Sequence, residues 1–225
     1  NNCLVLEIQY SQIKSKLNFS TFKKFKECGT GYLRGGRLQE YIYKGKSGIL
    51  ITTGDLIKDA PDSRPQDDDS IFGKTLFIDY ETKNYIIFSK GHRNAQGLVV
   101  KGDKIFSTEH GPYGGDEINQ ITINGNYGWP LASYGENYND NYQETDEYKF
   151  LKSHEDFDFQ EPIYSFVPSI GISQIIQVPK NFSTRWINNY LITSLKKNSI
   201  FRINFDKKFS KIIAMEEINI GKRIR

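Results

Sequence analysis

The sequence is short of the residues that usually mark a membrane, helical or disulfide-rich protein. It has one methionine, two cysteines and few alanines among 225 residues. No apolar run approaches the roughly 20 residues that a helix needs to cross a bilayer. Its 30 basic and 27 acidic residues leave a net charge of only +3, too small for a surface that follows nucleic-acid phosphates. These shortages exclude a membrane-spanning or fibrous chain and argue against a helical bundle and a nucleic-acid partner.

The residues that are present favour β-structure. Tyrosine and phenylalanine supply most of the 14% aromatic content, and short apolar or alternating runs recur between Gly, Asn, Asp and Pro, as they do in all-β folds. The one weak helix candidate is Asn18 to Lys26. The fold class is therefore all-β, as a sandwich, a barrel or a propeller. We predict strands at 37–43, 48–53, 75–79, 85–88, 97–100, 104–107, 117–123, 174–178, 190–193 and 199–205.

A loose internal repeat favours the propeller. Three times, a strand led by small or polar residues is followed after a turn by a second strand that ends in polar residues. The pairs are Gly36–Tyr41 with Ile49–Asp55, Gln96–Val100 with Lys104–His110, and Ser173–Val178 with Tyr190–Lys196. Propeller blades take about 40–45 residues plus loops, so the chain supplies about four. A β-sandwich with accidental similarity is the alternative.

Two polar stretches, 59–70 and 134–158, interrupt the strand pattern. Strands resume on both sides of each, so we predict one domain over residues 1–225 with two long loops. The chain starts without Met and stops directly after a strand-like stretch, from which we expect a piece cut from a longer protein at both ends. Cys3 and Cys28 could form a disulfide or remain two free core thiols, and the sequence favours neither.

Glycine and polar residues are concentrated in Gly91–Leu98, Glu109–Asn119 and Asn126–Pro130. Glycine frees the backbone to present carbonyls to a ligand, and carboxylates beside carbonyls suit calcium, which takes six to eight oxygens. On composition alone, ordinary turn chemistry explains these segments more simply.

The same segments resemble those of the soluble glucose/sorbosone dehydrogenase family. They read Gly-His-Arg-Asn-Ala-Gln-Gly-Leu, Glu-His-Gly-Pro-Tyr-Gly-Gly-Asp-Glu-Ile-Asn and Asn-Tyr-Gly-Trp-Pro, in family-like order and spacing. Further echoes extend the resemblance over nearly the whole chain. It implies a six-bladed β-propeller, present here in part, that binds pyrroloquinoline quinone (PQQ) through calcium. It also implies oxidation of an aldose sugar at its anomeric carbon, in the periplasm or outside the cell, with an electron acceptor that the sequence does not name.

The resemblance also assigns residues. It gives PQQ, which bears three carboxylates, a set of polar and basic side chains, and guanidinium groups suit carboxylates. Without the resemblance, each lone Arg or Lys would be a solvated charge, and His110 is as readily a plain loop histidine. The carbonyls of Gly111 and Pro112 would bind the calcium at the quinone, and Glu117 with the carbonyl of Tyr127 would bind a second, structural calcium. The cofactor positions are Arg93, Asn94, His110, Asp116, Lys196, Arg223 and Arg225.

Two positions depart from the family pattern. The catalytic histidine is replaced by Leu33, and a cofactor-contacting glutamine of some members by Leu56. Leucine accepts no proton, so a general-base contribution of about 10²- to 10⁴-fold would be lost, and the sequence offers no confident catalytic residue. His92 should point away from Arg93 in an extended segment, and His154 is expected on the surface. The alternative function is a non-catalytic, calcium-stabilised propeller that serves as a binding or interaction module.

Overall fold

The computed structural model describes residues 3–32, 34–56, 63–136 and 153–225. Over these ranges the chain forms fifteen β-strands and two short 3₁₀ helices, Glu155–Phe157 and Thr184–Trp186. The strands are β1 (Leu4–Tyr10), β2 (Ser20–Gly29), β3 (Gly35–Tyr43), β4 (Lys46–Thr53), β5 (Lys74–Asp79), β6 (Tyr85–Lys90), β7 (Ala95–Lys101), β8 (Lys104–Glu109), β9 (Asp116–Gln120), β10 (Gly125–Asn126), β11 (Tyr164–Phe166), β12 (Ile172–Gln177), β13 (Tyr190–Ser194), β14 (Ser199–Phe205) and β15 (Ile212–Asn219).

The strands are arranged in four sheets that follow one another along the chain. Sheet I is the hairpin β1–β2, and sheet II has the order β10-β6-β5-β4-β3. Sheet III has the order β11-β9-β8-β7, and sheet IV the order β12-β13-β14-β15. The strands that come first along the chain in sheets II, III and IV are β3, β7 and β12. These three strands are neighbours, since β7 contacts both β3 and β12. Sheets with adjacent first strands are the blades of a propeller.

The predicted repeat coincides with these blades. Its three copies are β3–β4, β7–β8 and β12–β13, the first two strands of sheets II, III and IV. Each pair is antiparallel. Each copy of the sequence repeat therefore forms the first two strands of a blade, and the strands predicted in the repeat are confirmed. That the whole chain, 1–225, is one domain cut at both ends stays a prediction.

An apolar layer lies between each two successive sheets. Side chains alternate along a strand, so Ile51 of β4 packs towards sheet I with Ile8, whereas Leu50 packs towards sheet III with Leu98. The layer between sheets III and IV contains Phe106 and Ile192, among others. A strand buried on both faces needs a continuous apolar run, which explains the sequence Gly48-Ile-Leu-Ile-Thr.

The structure of sheet I bears on two predictions, the helix candidate at Asn18 to Lys26 and the state of Cys3 and Cys28. The expected helix at Asn18 to Lys26 is wrong, because these residues enter strand β2, which pairs with an unpredicted strand β1. Register shifts in this pairing let both Phe22 and Phe25 pack against sheet II, a three-residue spacing that imitates a helix. Cys3 and Cys28 form a disulfide in this hairpin.

We expect the apolar layer between sheets III and IV to be a main source of stability. Ile192→Ala removes a fully buried side chain from that layer and should lower the free energy of unfolding by about 2–5 kcal/mol. Ile213→Ala makes the same change on β15, where the side chain is 57% exposed, and should cost less than about 0.5 kcal/mol. Urea unfolding of the full protein measures both, and equal losses would contradict this account of the core.

Candidate functional site

The three glycine-rich segments meet at one end of sheet III. Gly91–Asn94 leads into β7, His110–Gly115 joins β8 to β9, and Tyr127 follows β10. Together they line a small cavity, in which the volume open to the centre of a water molecule is about 10 Å³, room for one water or one ion. The lining residues include Arg93, Glu109, His110, Gly111, Pro112, Glu117, Tyr127 and Trp129.

Close backbone contacts at this end require glycine at two positions. A Cβ on Gly111 would lie 2.1 Å from the carbonyl oxygen of Gly115. Gly91 has φ +76°, and a Cβ there would lie 2.4 Å from the Asn126 side-chain oxygen. Any side chain would force these loops apart, which explains why the motifs are rich in glycine.

The buried carboxylate of Glu109 holds the segment before β7. It accepts hydrogen bonds from the backbone N–H groups of Arg93 and of Asn94, the latter at 3.3 Å, and lies 3.0 Å from Nδ1 of His92. The other ring nitrogen of His92 lies 2.8 Å from the Ser89 hydroxyl. His92 therefore points away from the Arg93 side chain, as predicted. Sequence reasoning did not single out Glu109, although a carboxylate directly before a glycine-rich loop was a usable signal.

The Arg93 side chain crosses the cavity. Its guanidinium donates to the carbonyls of Gly111 at 2.7 Å and His110 at 3.1 Å, and it lies over the Trp129 ring at 5.3 Å from the centroid. The Trp129 indole in turn donates to the buried carboxylate of Asp55 at 2.8 Å. The predicted cofactor residue Arg93 and the predicted calcium ligand Gly111 are thus in direct contact.

Asp116 joins the site to the next sheet. Its carboxylate accepts hydrogen bonds from the N–H of Gly111 at 3.2 Å and from the N–H of Ile172, at the start of β12, at 2.9 Å. Nδ1 of His110 lies 3.8 Å from the same carboxylate. Burial lowers the pKa of His110, and the Asp116 charge partly opposes that shift. A neutral imidazole at the wall of the cavity follows.

Glu117 is a buried carboxylate with few partners. It accepts a hydrogen bond from the Asn119 amide at 3.1 Å. Burial, together with the charge of Glu109, raises the pKa of Glu117 to about 8. The side-chain oxygen of Asn119 is buried and has no hydrogen-bond partner within the described ranges. Glu117 and Asn119 are therefore two buried oxygen-bearing side chains with few hydrogen-bond partners of their own.

The prediction that His154 lies on the surface is wrong. Its side chain is 1% exposed and stacks on the Tyr134 ring at 5.1 Å. Nε2 lies 4.0 Å from the Glu117 carboxylate, and the backbone N–H donates to Glu161 at 2.8 Å. Burial lowers the pKa of His154. The polar composition around His154 hid this packing, because its contacts are with residues distant in sequence, such as Glu117 and Tyr134, that no periodicity marks.

A polar network at the same end joins sheets II, III and IV. The Gln96 side chain accepts from Arg225 at 3.1 Å and donates to Asn94 at 2.9 Å, and the backbone carbonyl of Gln96 accepts from Arg37 at 3.0 Å. The Asn94 side-chain oxygen also accepts from the N–H of Gly35 at 3.2 Å. The structure therefore links Asn94 and Arg225 through Gln96, a residue that the sequence had not assigned to the site.

The remaining basic positions lie nearer the surface. Lys196 and Arg223 are exposed, and Ile224 donates to the Ser194 carbonyl at 3.3 Å, which places the last residues beside the end of β13. Burial, followed by the Arg225 charge, lowers the pKa of Arg37, so these two cations face the same region. The structure thus brings positive charge to the rim but leaves Lys196 and Arg223 outside the cavity.

The two leucine departures have different outcomes. Leu33 lies outside the described residues. Leu56 is buried in the apolar layer between sheets I and II and has φ +50°. Its side chain therefore packs in the core and takes no part in the cavity.

No group of three or more His, Cys, Asp and Glu side chains suited to a metal ion occurs in the described part of the chain. A cation at Glu117 would therefore depend on carbonyl oxygens, as the resemblance implies for Tyr127. The Tyr127 ring is held in place: it stacks on His92 at 4.6 Å, and its hydroxyl accepts from the N–H of Thr122 at 3.0 Å. Burial raises the pKa of that hydroxyl to about 12.

The chain is similar in sequence to known sugar dehydrogenases. The chain is 35% identical over 136 residues to the aldose sugar dehydrogenase YliI of Escherichia coli (strain K12), covering 53% of this chain and 34% of that protein. It is 28% identical over 170 residues to quinoprotein glucose dehydrogenase B of Acinetobacter calcoaceticus, covering 55% and 36%. These matches span about a third of the length of the curated relatives.

The crystal structure of the soluble aldose sugar dehydrogenase of Escherichia coli in the apo form superposes with a TM-score of 0.79 at 25% identity, over 97% of this chain and 66% of that one. The prediction of a partial, all-β propeller of this type is confirmed. A family model described as Glucose / Sorbosone dehydrogenase matches residues 5–225. Because that match contains every residue of the cavity, the chain belongs to the glucose/sorbosone dehydrogenase family.

Proposed function

We propose that the protein is a PQQ- and calcium-dependent oxidoreductase that oxidises an aldose sugar at its anomeric carbon. One observation carries the proposal: the four predicted metal positions and the predicted cofactor residues Arg93 and His110 line a single cavity in a chain of this family. One relative is an aldose sugar dehydrogenase and another a quinoprotein glucose dehydrogenase. Since the matched segment spans about a third of those relatives, the proposal concerns the whole protein.

The residues around Glu117 fit a calcium ion. A buried carboxylate with a raised pKa and an unpartnered amide oxygen on Asn119 supply the hard oxygen ligands that calcium prefers. A bound cation would favour the ionised carboxylate and offset the cost of its burial. Glu117 and the Tyr127 carbonyl would hold this ion.

The rim fits a polycarboxylate cofactor. Arg225 and Arg37 share Gln96 as a partner, and neither has a carboxylate partner in the described part of the chain. Guanidinium groups in such a position suit carboxylates. With Arg93, Asn94, His110, Asp116, Lys196 and Arg223, they would bind and orient PQQ, and the Gly111 and Pro112 carbonyls would hold its calcium. When bound, PQQ supplies the group that accepts the hydride.

The protein's own residues leave proton transfer without an assigned acceptor. The family's base position is Leu33 in this sequence, and His92 and His154 are buried in contacts of their own. The third histidine, His110, lies at the cavity wall beside Asp116 and is assigned to the cofactor. This specific observation favours the second candidate, a calcium-stabilised propeller that binds but does not turn over a sugar. We give priority to an enzyme with impaired turnover, because the cofactor-binding residues are retained.

We place the protein in the periplasm or outside the cell, with a small sugar as substrate and an electron acceptor that remains to be identified. A disulfide between Cys3 and Cys28 agrees with an oxidising compartment. In the described ranges, no helix has the length and apolar character to cross a membrane.

The first functional prediction separates cofactor binding from turnover. The full protein, reconstituted with PQQ and calcium, should bind PQQ but reduce an artificial dye slowly with a panel of aldoses. Leu33→His should raise the rate by at least about 10²-fold, the lower end of what a general base contributes. Rapid turnover by the unaltered protein would show that position 33 is not the position of the catalytic base. Failure to bind PQQ would favour the binding module.

A titration of the full protein with PQQ tests the role of the rim. Arg225→Gln should weaken PQQ binding by about ten- to a hundredfold, because it removes a charged hydrogen-bond donor of about 1.5–3 kcal/mol. The control is Arg185→Gln, an exposed residue before β13 and at the opposite end of that strand from Ser194. Equal affinity of both variants would contradict the assignment of Arg225.

A calcium prediction follows from Glu117. Calcium should raise the melting temperature of the protein, and a chelator should reverse the rise, since a ligand at about 100 times its Kd stabilises by about 2.7 kcal/mol. Glu117→Gln should abolish the rise, whereas Glu81→Gln, at an exposed turn, should leave it intact. Differential scanning calorimetry with and without calcium measures both. A rise that persists in Glu117→Gln would mean that calcium binds elsewhere.

A further inference from the structure

The tip of the β1–β2 hairpin differs in charge from the rest of the molecule. Between Tyr10 and Lys26 the sequence has five lysines and no Asp or Glu. The whole chain has a net charge of only +3, so the remainder is net negative. Lys23 is already engaged, donating to the Lys83 carbonyl at 2.8 Å, and Lys24 lies opposite Glu7. Lys14 and Lys16 are exposed at the tip, without a carboxylate partner in the described part of the chain.

Large apolar side chains lie beside these lysines. The strands pair as far as Tyr10 and Ser20, and the turn beyond that pair carries Ile13, Leu17 and Phe19, exposed by 96%, 52% and 63%. Single exposed apolar residues are common on protein surfaces, whereas a group of them on one turn marks an interaction site.

A groove at the tip offers donors for an anion. It has a volume of about 240 Å³ and is lined by Lys14, Lys16, Ser11, Asn18 and Ser20, among others. Ammonium, hydroxyl and amide groups are hydrogen-bond donors that suit phosphate oxygens. Cationic donors and apolar side chains therefore occur side by side on one turn.

We propose that this hairpin tip docks on an anionic lipid surface. Lys14 and Lys16 contact phosphate headgroups, while Ile13, Leu17 and Phe19 enter the interface between headgroups and acyl chains. A nucleic acid would use the lysines but would leave the aliphatic side chains in water, so a lipid surface matches both features. The proposal is independent of the proposed function, because no residue of the tip lines the cavity near Glu117.

Vesicle sedimentation of the full protein tests the proposal. Vesicles of phosphatidylcholine with roughly a third of phosphatidylglycerol should sediment the protein, and vesicles of phosphatidylcholine alone should do so much less, because each lysine near an anionic surface strengthens binding about fivefold. Lys14→Gln with Lys16→Gln should weaken binding by more than about tenfold. Raising the salt to about 0.5 M should weaken binding of the unaltered protein in the same way.

A second pair of variants tests the apolar part. Ile13→Ser with Leu17→Ser should weaken binding by about tenfold or more at both salt concentrations, because apolar transfer is not screened. The controls are Lys207→Gln with Lys208→Gln and Ile213→Ser, exposed positions in and near the β14–β15 turn, which should bind as the unaltered protein does. Because the tip residues lie outside the core, unchanged melting temperatures will show that the variants fold.

Three outcomes would overturn the proposal: equal sedimentation by neutral and anionic vesicles, sedimentation by neither, or tip variants that bind like their controls. Binding to a single-stranded oligonucleotide in place of vesicles would also overturn it and would identify the tip as a general polyanion site.

Discussion

The face-to-face packing of successive sheets is the constraint on which the rest of the structure depends. Each apolar layer holds two sheets together along their faces and so brings the first strands β3, β7 and β12 side by side. Residues distant in sequence then meet at one end, as when Asp116 bonds to Ile172 and Gln96 to Arg225. The apolar residues carry no chemistry, but the site exists because they fix where the loops begin.

Three buried carboxylates, Glu109, Asp116 and Glu117, lie among the loops that the packed sheets bring together. Glu109 satisfies the backbone of the Arg93 segment, and Asp116 satisfies that of Gly111 and β12. Both carboxylates are buried and accept hydrogen bonds from backbone N–H groups, as buried polar groups usually do. Glu117 has one side-chain donor, Asn119, and burial together with the charge of Glu109 raises its pKa to about 8. A region with two satisfied carboxylates and one poorly satisfied carboxylate is suited to a cation, and the arginines of the rim complement it with a surface suited to anions.

The hairpin tip and the cavity are two separate polar systems of one chain. The cavity belongs to the loops of sheet III, whereas the basic tip belongs to sheet I, which contributes to the fold through the layer containing Ile8 and Phe25. Since that layer is made by one face of the hairpin, the turn beyond Tyr10 and Ser20 is free of core contacts. Its lysines and apolar residues can therefore serve an interaction without affecting the site.

The sequence by itself determined the strand-rich fold class, the repeat and the glycine-rich segments that form the cavity, because period-two burial and glycine-rich loops are local patterns. It could not determine the pairing of Cys3 with Cys28, the strand β2 in place of a helix, or the burial of His154. Those depend on bulged pairing and on the contact of His154 with Glu117 and Tyr134, which no local period encodes. Likewise, only the tertiary structure directed Leu56 into the core and joined Arg37, Gln96 and Arg225, since contacts between residues far apart in sequence form only when the sheets pack.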